Sequence, residues 1–460
     1  MKTIFKTILS AVVAGATALG ATAQTTNSGY FLDNYTYRYT MNPALGNDAN
    51  FVSMPAIGNL NIATRGSLHL SSVIYKLDGR TVLFTNPGIS VDEVMSGIKD
   101  VNHIGADVKL NVLSSGFKAF GGYNTVSINA VASAAVRVPG SFFSLAKEGV
   151  SNKTYDITDM RGTALGYAEI GLGHSRDIPG VPGLRAGATL KFLVGVANLE
   201  AYFNNAHLTL GENEWTATTN ADIYANVGGF QFDHKTNSET GAEYVSGANL
   251  DGNGSVGPNG FGLALDLGAE YKWNDFSFSL AVLDLGFISF NDTHFASTNG
   301  DRTINTDAYT FNANGDASNS FENEWDRLKG NLDKLYQLTD NGNIGGRSRT
   351  LHATLNIGVD YALPVYRKLH FGLLSTTRLA GEYTWTEARI SANVHPVKCF
   401  SADANVAFGT YGAGFGWLLN FHTKGANLFL GMDHTIGKVT KQFAPLNSNM
   451  SVNFGLNFPF

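Results

Sequence analysis

Six charged residues stand at even spacings inside otherwise apolar stretches: Asp107 and Lys109, Arg185 and Lys191, Asp266 and Glu270. On an extended chain, even spacing places side chains on one face. Such a row lines an aqueous path or holds the polar part of a ligand, so these six are candidates for the inside of a barrel. Hydrolytic chemistry is less well provided for. His69 with Ser71 and His174 with Ser175 are the nearest Ser/His pairs. The first pair would share a strand face, but nucleophilic catalysis also needs an orienting acid and oxyanion donors. The chain has no H-E-x-x-H, G-x-S-x-G or P-loop motif. No residue is therefore assigned a catalytic role, and the chain is not read as an enzyme. The stretch Asp251-Gly252-Asn253-Gly254-Ser255 begins like a calcium loop, yet Val256 and Gly262 stand where that loop needs Gly and Glu. Neither a metal nor a cofactor is expected, and the single cysteine, Cys399, has no partner for a disulfide or a metal site.

The elements that must position the six charges alternate with period two from about residue 60 to the end. In 104–112, Ile104, Ala106, Val108, Leu110 and Val112 share one face, with Asp107, Lys109 and Asn111 on the other. In 184–194, Leu190 and Phe192 oppose Thr189 and Lys191; in 261–273, Leu265 and Leu267 oppose Asp266 and Glu270. The last stretch sets Val452, Phe454, Leu456, Phe458 and Phe460 against Ser451, Asn453, Gly455 and Asn457. Alternation of this kind marks half-buried strands. A soluble sandwich uses strands of ~5–6 residues, whereas these runs reach the ~9–11 that a tilted strand needs to cross a bilayer. Aromatic ends such as Tyr271 with Trp273 suit the girdles of a membrane barrel. The expected fold is all-β: an antiparallel transmembrane β-barrel of about 14 strands by bilayer length. It would have sixteen if a weaker pair around 198–225 also spans the membrane rather than extending beyond it.

Composition supports the same class. The chain has 52 Gly, 30 Phe and 18 Tyr with 15% charged residues, and no run after Leu19 reaches the ~18 apolar residues of a spanning helix. Only helices and closed barrels satisfy every backbone group in lipid. Lys2 and Lys6, the apolar stretch from Ile8 to Leu19, and Ala21-Thr22-Ala23 before Gln24 read as a secretory signal peptide over 1–23. Removing its two lysines takes the formal net charge from −6 to −8. Without a basic patch, nucleic acid is excluded as a partner. The remaining organisation is an N-terminal periplasmic or luminal segment at 24–58, then a barrel over 59–460 with long polar loops at 211–260 and 291–349. In the second loop Phe321, Trp325, Leu328, Leu332 and Leu335 share one helical face; a second short helix is expected within 90–100.

Tyr39-Thr40-Met41-Asn42-Pro43-Ala44-Leu45-Gly46 precedes the first firm strand, and Val282-Leu283-Asp284-Leu285-Gly286 and Ile390-Ser391-Ala392-Asn393-Val394-His395-Pro396 follow later. With these phrases the chain resembles FadL-like outer-membrane barrels, in particular a Bacteroidetes family catalogued only as a domain of unknown function. The resemblance covers nearly the whole mature chain. It implies about 14 strands with an N-terminal segment folded into or beneath the lumen, in which Asn42, Pro43 and Ala44 form a plug or turn element. Proline holds the preceding residue extended and asparagine caps the turn.

The expected function is an outer-membrane barrel that binds or passes a small, hydrophobic ligand. The alternative is a non-transporting scaffold for a secretion or surface-assembly complex. Expected partners are outer-membrane lipid, the barrel-insertion machinery, the small ligand, and on the alternative a secretion-complex protein. Phe454, Phe458 and Phe460 are the expected assembly signal, because the last strand ends in an outward aromatic row.

Overall fold

The computed structural model describes residues 26–149, 152–211, 215–237, 241–250, 257–305, 334–335, 337–435 and 449–460. The signal stretch 1–23, the 251–255 turn and nearly all of the helix expected at 321–335 lie outside the described residues. Period-two alternation builds fourteen barrel strands among those described. They are β1 (Asn59–Gly66), β2 (Val101–Ala119), β3 (Gly122–Pro139), β4 (Arg161–Asp177), β5 (Leu184–Leu210), β6 (Gly260–Trp273), β7 (Phe276–Phe290), β8 (Ala353–Ala362), β9 (Leu369–Leu379), β10 (Trp385–Val397), β11 (Phe400–Gly409), β12 (Gly412–His422), β13 (Asn427–Met432) and β14 (Met450–Pro459).

Each strand pairs antiparallel with the next, and β14 returns to β1 with Leu60 opposite Phe454 and Ala63 opposite Ser451. The ladder therefore closes without an edge. The wall begins earlier than the boundary expected at residue 58. Phe51–Ser53 already pairs with β14 through Phe51↔Pro459 and with β2 through Phe51↔Gly116. Pro55 and Ala56 (φ 62) interrupt that strand, and the interruption hides its alternation in the sequence.

One end of the barrel carries the tight turns at 119–122, 273–276 and 397–400 together with the C-terminus; the other carries the long connections. Short turns are periplasmic and long loops external in this class. At 119–122, Phe120 (φ 55) and Gly121 (φ 70) are both left-handed, the conformation that lets a two-residue turn follow the twist of its strands.

The weaker pair around 198–225 extends beyond the fourteen-stranded wall. The first half of β5 pairs with β6, from Leu184↔Tyr271 to Gly195↔Gly260. Its second half runs on and pairs with Trp215–Val227 instead. That strand pairs in turn with His294–Ser297 and Arg302–Asn305. The stretches expected as loops are thus partly β, and they include a hairpin of Phe230–Thr236 with Glu243–Leu250. A short helix, α1 (Val91–Ser96), is capped where Ser90 Oγ accepts from the Glu93 amide at 3.1 Å. A second, α2 (Gly140–Glu148), has no counterpart in the sequence reading. Leu70–Ser72 is a 3-10 turn rather than strand, so His69 and Ser71 do not share a strand face.

Outward positions form an apolar belt. Leu190, Leu263, Leu265, Leu280, Ile357, Leu373, Ile390 and Leu430 are all exposed, with Trp273, Phe276 and Phe458 near the tight-turn end. Inward positions are polar, among them Asn61, Asn129, Glu169, Asn356, Asn405 and Asn453, all buried. This is the inverse of a soluble globule and the arrangement of a transmembrane barrel. The largest apolar core lies inside the lumen. There Tyr30, Phe31, Leu32, Tyr35, Tyr37, Tyr39, Met41 and Leu45 of the N-terminal segment pack on wall residues Leu374, Leu418 and Phe429. Each such side chain contributes roughly 1.5–3 kcal/mol on burial, and together they hold the segment as a plug.

Candidate functional site

The plug is seated by the Asn42-Pro43-Ala44 turn. Asn42 is fully buried, and its Oδ1 accepts from the Ala44 amide at 2.9 Å, closing the turn. Its Nδ2 reaches the wall carbonyls of Ala269 at 3.2 Å and Leu280 at 3.4 Å. The wall makes room with glycine. A Cβ on Gly268 would stand 2.9 Å from Pro43 Cδ and would overlap Asn42 Oδ1, while one on Gly187 would lie 2.6 Å from the Ala44 amide nitrogen. Gly358 and Gly372 leave similar room for Tyr30 and Phe31. Part of the glycine content of the strands is therefore a bed for the plug.

At its start the segment is tied to Asp433, just past β13. The Asp433 carboxylate accepts from Thr26 Oγ1 (2.8 Å), the Asn27 amide (2.8 Å) and the Ser28 amide (2.6 Å). Behind it Arg389 pairs with Glu387 at 2.6 Å, and His434 Nε2 lies 2.8 Å from the same glutamate.

Above the plug lies a small cavity of about 50 Å³. Thr40 and Asn27 of the plug bound it on one side, and Val131, Leu165, Tyr167, Leu283 and Leu351 give it an apolar wall. Part of that wall belongs to a buried apolar cluster in which Leu165 and Leu351 pack with Leu193, Ile288 and Phe290. Beside it sits a charged cluster. Lys191 Nζ lies 2.6 Å from Asp284, 2.8 Å from Asp266 and 3.6 Å from Glu169. Lys109 lies 3.0 Å from Glu169, whose same oxygen also accepts from Asn129 at 2.9 Å.

The bend that aims Asp284 inward is a β-bulge. The β6–β7 register slips between Leu265 and Leu267, and Asp284 takes a left-handed φ of 58°. Its backbone amide donates to Asp266 Oδ1 at 2.7 Å. Bulges re-aim side chains in this manner, and here both Leu283 and Asp284 line the cavity.

The six candidate charges divide among three places. Lys109, Lys191 and Asp266 belong to the central cluster. Asp107 lies across the lumen from Arg378 at 3.8 Å, at the external side of the cavity. Arg185 and Glu270 sit at the periplasmic end. Arg185 donates to Ser175 at 3.0 Å and faces Asp177 at 3.8 Å; Glu270 accepts from Ser277 at 3.0 Å. Alternation and spacing alone do not single out Asp284, Glu169, Arg378 or Asp433. Asp284 breaks the alternation in Val282-Leu283-Asp284-Leu285-Gly286, and that break is the one sequence signal that marks it. In the last strand Phe458 faces outward, while Phe454 is half-buried on the same face. Phe460 is exposed, with its amide donating to the Asn50 carbonyl at 3.0 Å.

A model described as a family of unknown function (DUF5723) matches residues 43–433, from the plug turn to the plug anchor. The chain belongs to that family. No curated protein matches the chain. Among solved structures it is similar to a mutant of the TodX monoaromatic hydrocarbon channel, at 10% identity and a TM-score of 0.44, over 95% of this chain and 97% of that one. It is also similar to the Ralstonia pickettii toluene transporter TbuX (8% identity, TM-score 0.40, 92% of each chain). A third is a Pseudomonas aeruginosa FadL homologue (10% identity, TM-score 0.35, 96% of this chain and 98% of that one).

Proposed function

We propose that this outer-membrane barrel binds a small, largely apolar and uncharged ligand in the cavity between plug and external mouth, and passes it across the membrane. The carrying observation is the group of apolar side chains Val131, Leu165, Leu283 and Leu351 that lines the cavity above the plug beside its charged and polar groups. The surrounding charges offer nothing to an anionic head group. Lys109, Lys191 and Arg378 face Asp107, Glu169, Asp266 and Asp284, three cations against four carboxylates. A carboxylate ligand would have to displace one of these buried partners, which is costly.

The test is binding of a radiolabelled short-chain alcohol and its matching carboxylic acid to the purified protein, with uptake of both in a deletion strain. The alcohol binds and the acid does not; Ser133→Phe, which fills the cavity, removes alcohol binding while leaving heat-modifiable mobility intact. Absence of binding for either compound, with unchanged uptake, sinks the proposal. The outward aromatic positions Phe454, Phe458 and Phe460 remain proposed as the signal read by the insertion machinery.

The scaffold reading is supported by the β extension formed by the end of β5, Trp215–Val227, His294–Ser297 and Arg302–Asn305, which continues past the wall. A stoichiometric protein crosslinked to that extension in native outer membranes would favour it over transport.

A further inference from the structure

We propose that the turn at 380–384, between β9 and β10, is a reversible strap that closes the external mouth of the lumen over the cavity, latched by Glu382. In a ring of fourteen strands β9 and β2 stand seven places apart, on opposite walls. A turn confined to its own edge could not touch β2, β3 or β4. This one does. Glu382 Oε1 lies 2.9 Å from Arg161 and its Oε2 3.8 Å from Arg137, and the Tyr383 ring meets His103 edge-on at 5.6 Å.

The three wall residues form a single row. His103 is the register partner of Arg137, and Arg137 of Arg161, across β2, β3 and β4. The strap thus lies along a basic ladder built from three neighbouring strands. Just below it, Arg378 of β9 both lines the cavity and faces Asp107 of β2. The strap accordingly crosses the lumen on the external side of the Arg378–Asp107 contact.

Three features make the closure reversible. The turn is a compact unit, with the Ala380 amide donating to Thr384 Oγ1 at 3.0 Å and Thr384 Oγ1 donating to the Gly381 carbonyl at 2.7 Å. Gly381, at φ 58°, permits the bend, and no atom comes within 4 Å of where its Cβ would be. Finally, Asp159 already holds both arginines, at 2.9 Å from Arg161 and 3.5 Å from Arg137. When Glu382 leaves, neither guanidinium is stranded, and Glu382 itself is partly exposed and passes into water. An ion pair of this exposure is weak enough to open thermally.

This access route is independent of what the ligand is, so it is read without one. A Ser133→Cys, Cys399→Ala protein places one thiol in the cavity, and the rate of its modification by a membrane-impermeant maleimide added outside intact cells reports opening of the mouth. Glu382→Gln speeds modification by roughly two- to fivefold, the shift expected when an exposed ion pair is lost from a closed state. A bismaleimide bridge between Glu382→Cys and Arg161→Cys, made before Ser133→Cys is deprotected from a reversible disulfide block, stops modification over the time in which the unbridged protein is fully modified. Retention of heat-modifiable mobility shows that each variant is folded. Equal modification rates in bridged and unbridged protein, or no change with Glu382→Gln, would overturn the strap while leaving the ligand proposal standing.

Discussion

The hydroxyl of Thr26 donates to the carboxylate of Asp433 at 2.8 Å, joining residues 407 apart in the chain. The amides of Asn27 and Ser28 donate to the same carboxylate, so one side chain of the wall anchors the start of the plug. Asp433→Asn keeps the shape but loses the charge. Hydrogen bonds to charged groups contribute about 1.5–3 kcal/mol each, and the variant should raise amide exchange at 26–28 while the barrel ladder stays protected. Unchanged exchange there would remove Asp433 as the anchor.

The seat of Pro43 gives a second expectation. A methyl at Gly268 has no room beside Asn42 and Pro43, whereas at Gly105 the nearest atoms are at an ordinary 3.6 Å. Gly268→Ala should therefore loosen the plug by about 1–3 kcal/mol, the usual cost of overpacking, and expose residues 30–45 to added protease. Gly105→Ala should leave the protease pattern as it is.

Facing is tested at adjacent residues. Leu190 points to lipid and is 42% exposed, while Thr189 points inward and is 9% exposed. Arg at Leu190 should cost about 2–4 kcal/mol near the bilayer midplane. From alternation alone, Arg at a lumen position such as Thr189 would be mild. The lumen there is filled, however, with Thr189 packed beside Gly171 and Gly173, so Thr189→Arg should cost about 1–3 kcal/mol through overpacking. Spin labels separate the two mechanisms: a label at 190 is relaxed by lipid-dissolved oxygen and one at 189 is not.

The plug also carries a pH-dependent contact. Arg38, 2.5 Å away, holds the Asp33 carboxyl below its ordinary range. A depressed carboxylate contributes stability that is present above its unfolded value and is lost as the pH falls through the folded one. The Arg38 contact should therefore be unaffected between neutrality and mild acid. It should weaken only below about pH 4, where unpaired carboxyls protonate. Protease sensitivity of residues 30–40 followed against pH measures this, and Asp33→Asn should abolish the dependence.

The class, the facing and the approximate strand number are legible in the chain alone. Those follow from a local rule: side chains on a strand alternate, and a bilayer demands an apolar outer face about ten residues long. The chain also marks Asn42-Pro43-Ala44 as a turn, because proline and asparagine act on their own neighbours. Which charges meet is set instead by the closed, bulged and plugged ring. Lys191 finds Asp284 because a bulge in β7 turns that residue inward against the alternation. Asp433 finds Thr26, and Glu382 finds Arg161, only because the ring closes and brings chain-distant walls face to face. No spacing along the chain encodes those contacts, since each depends on the circumference, the register and the plug together.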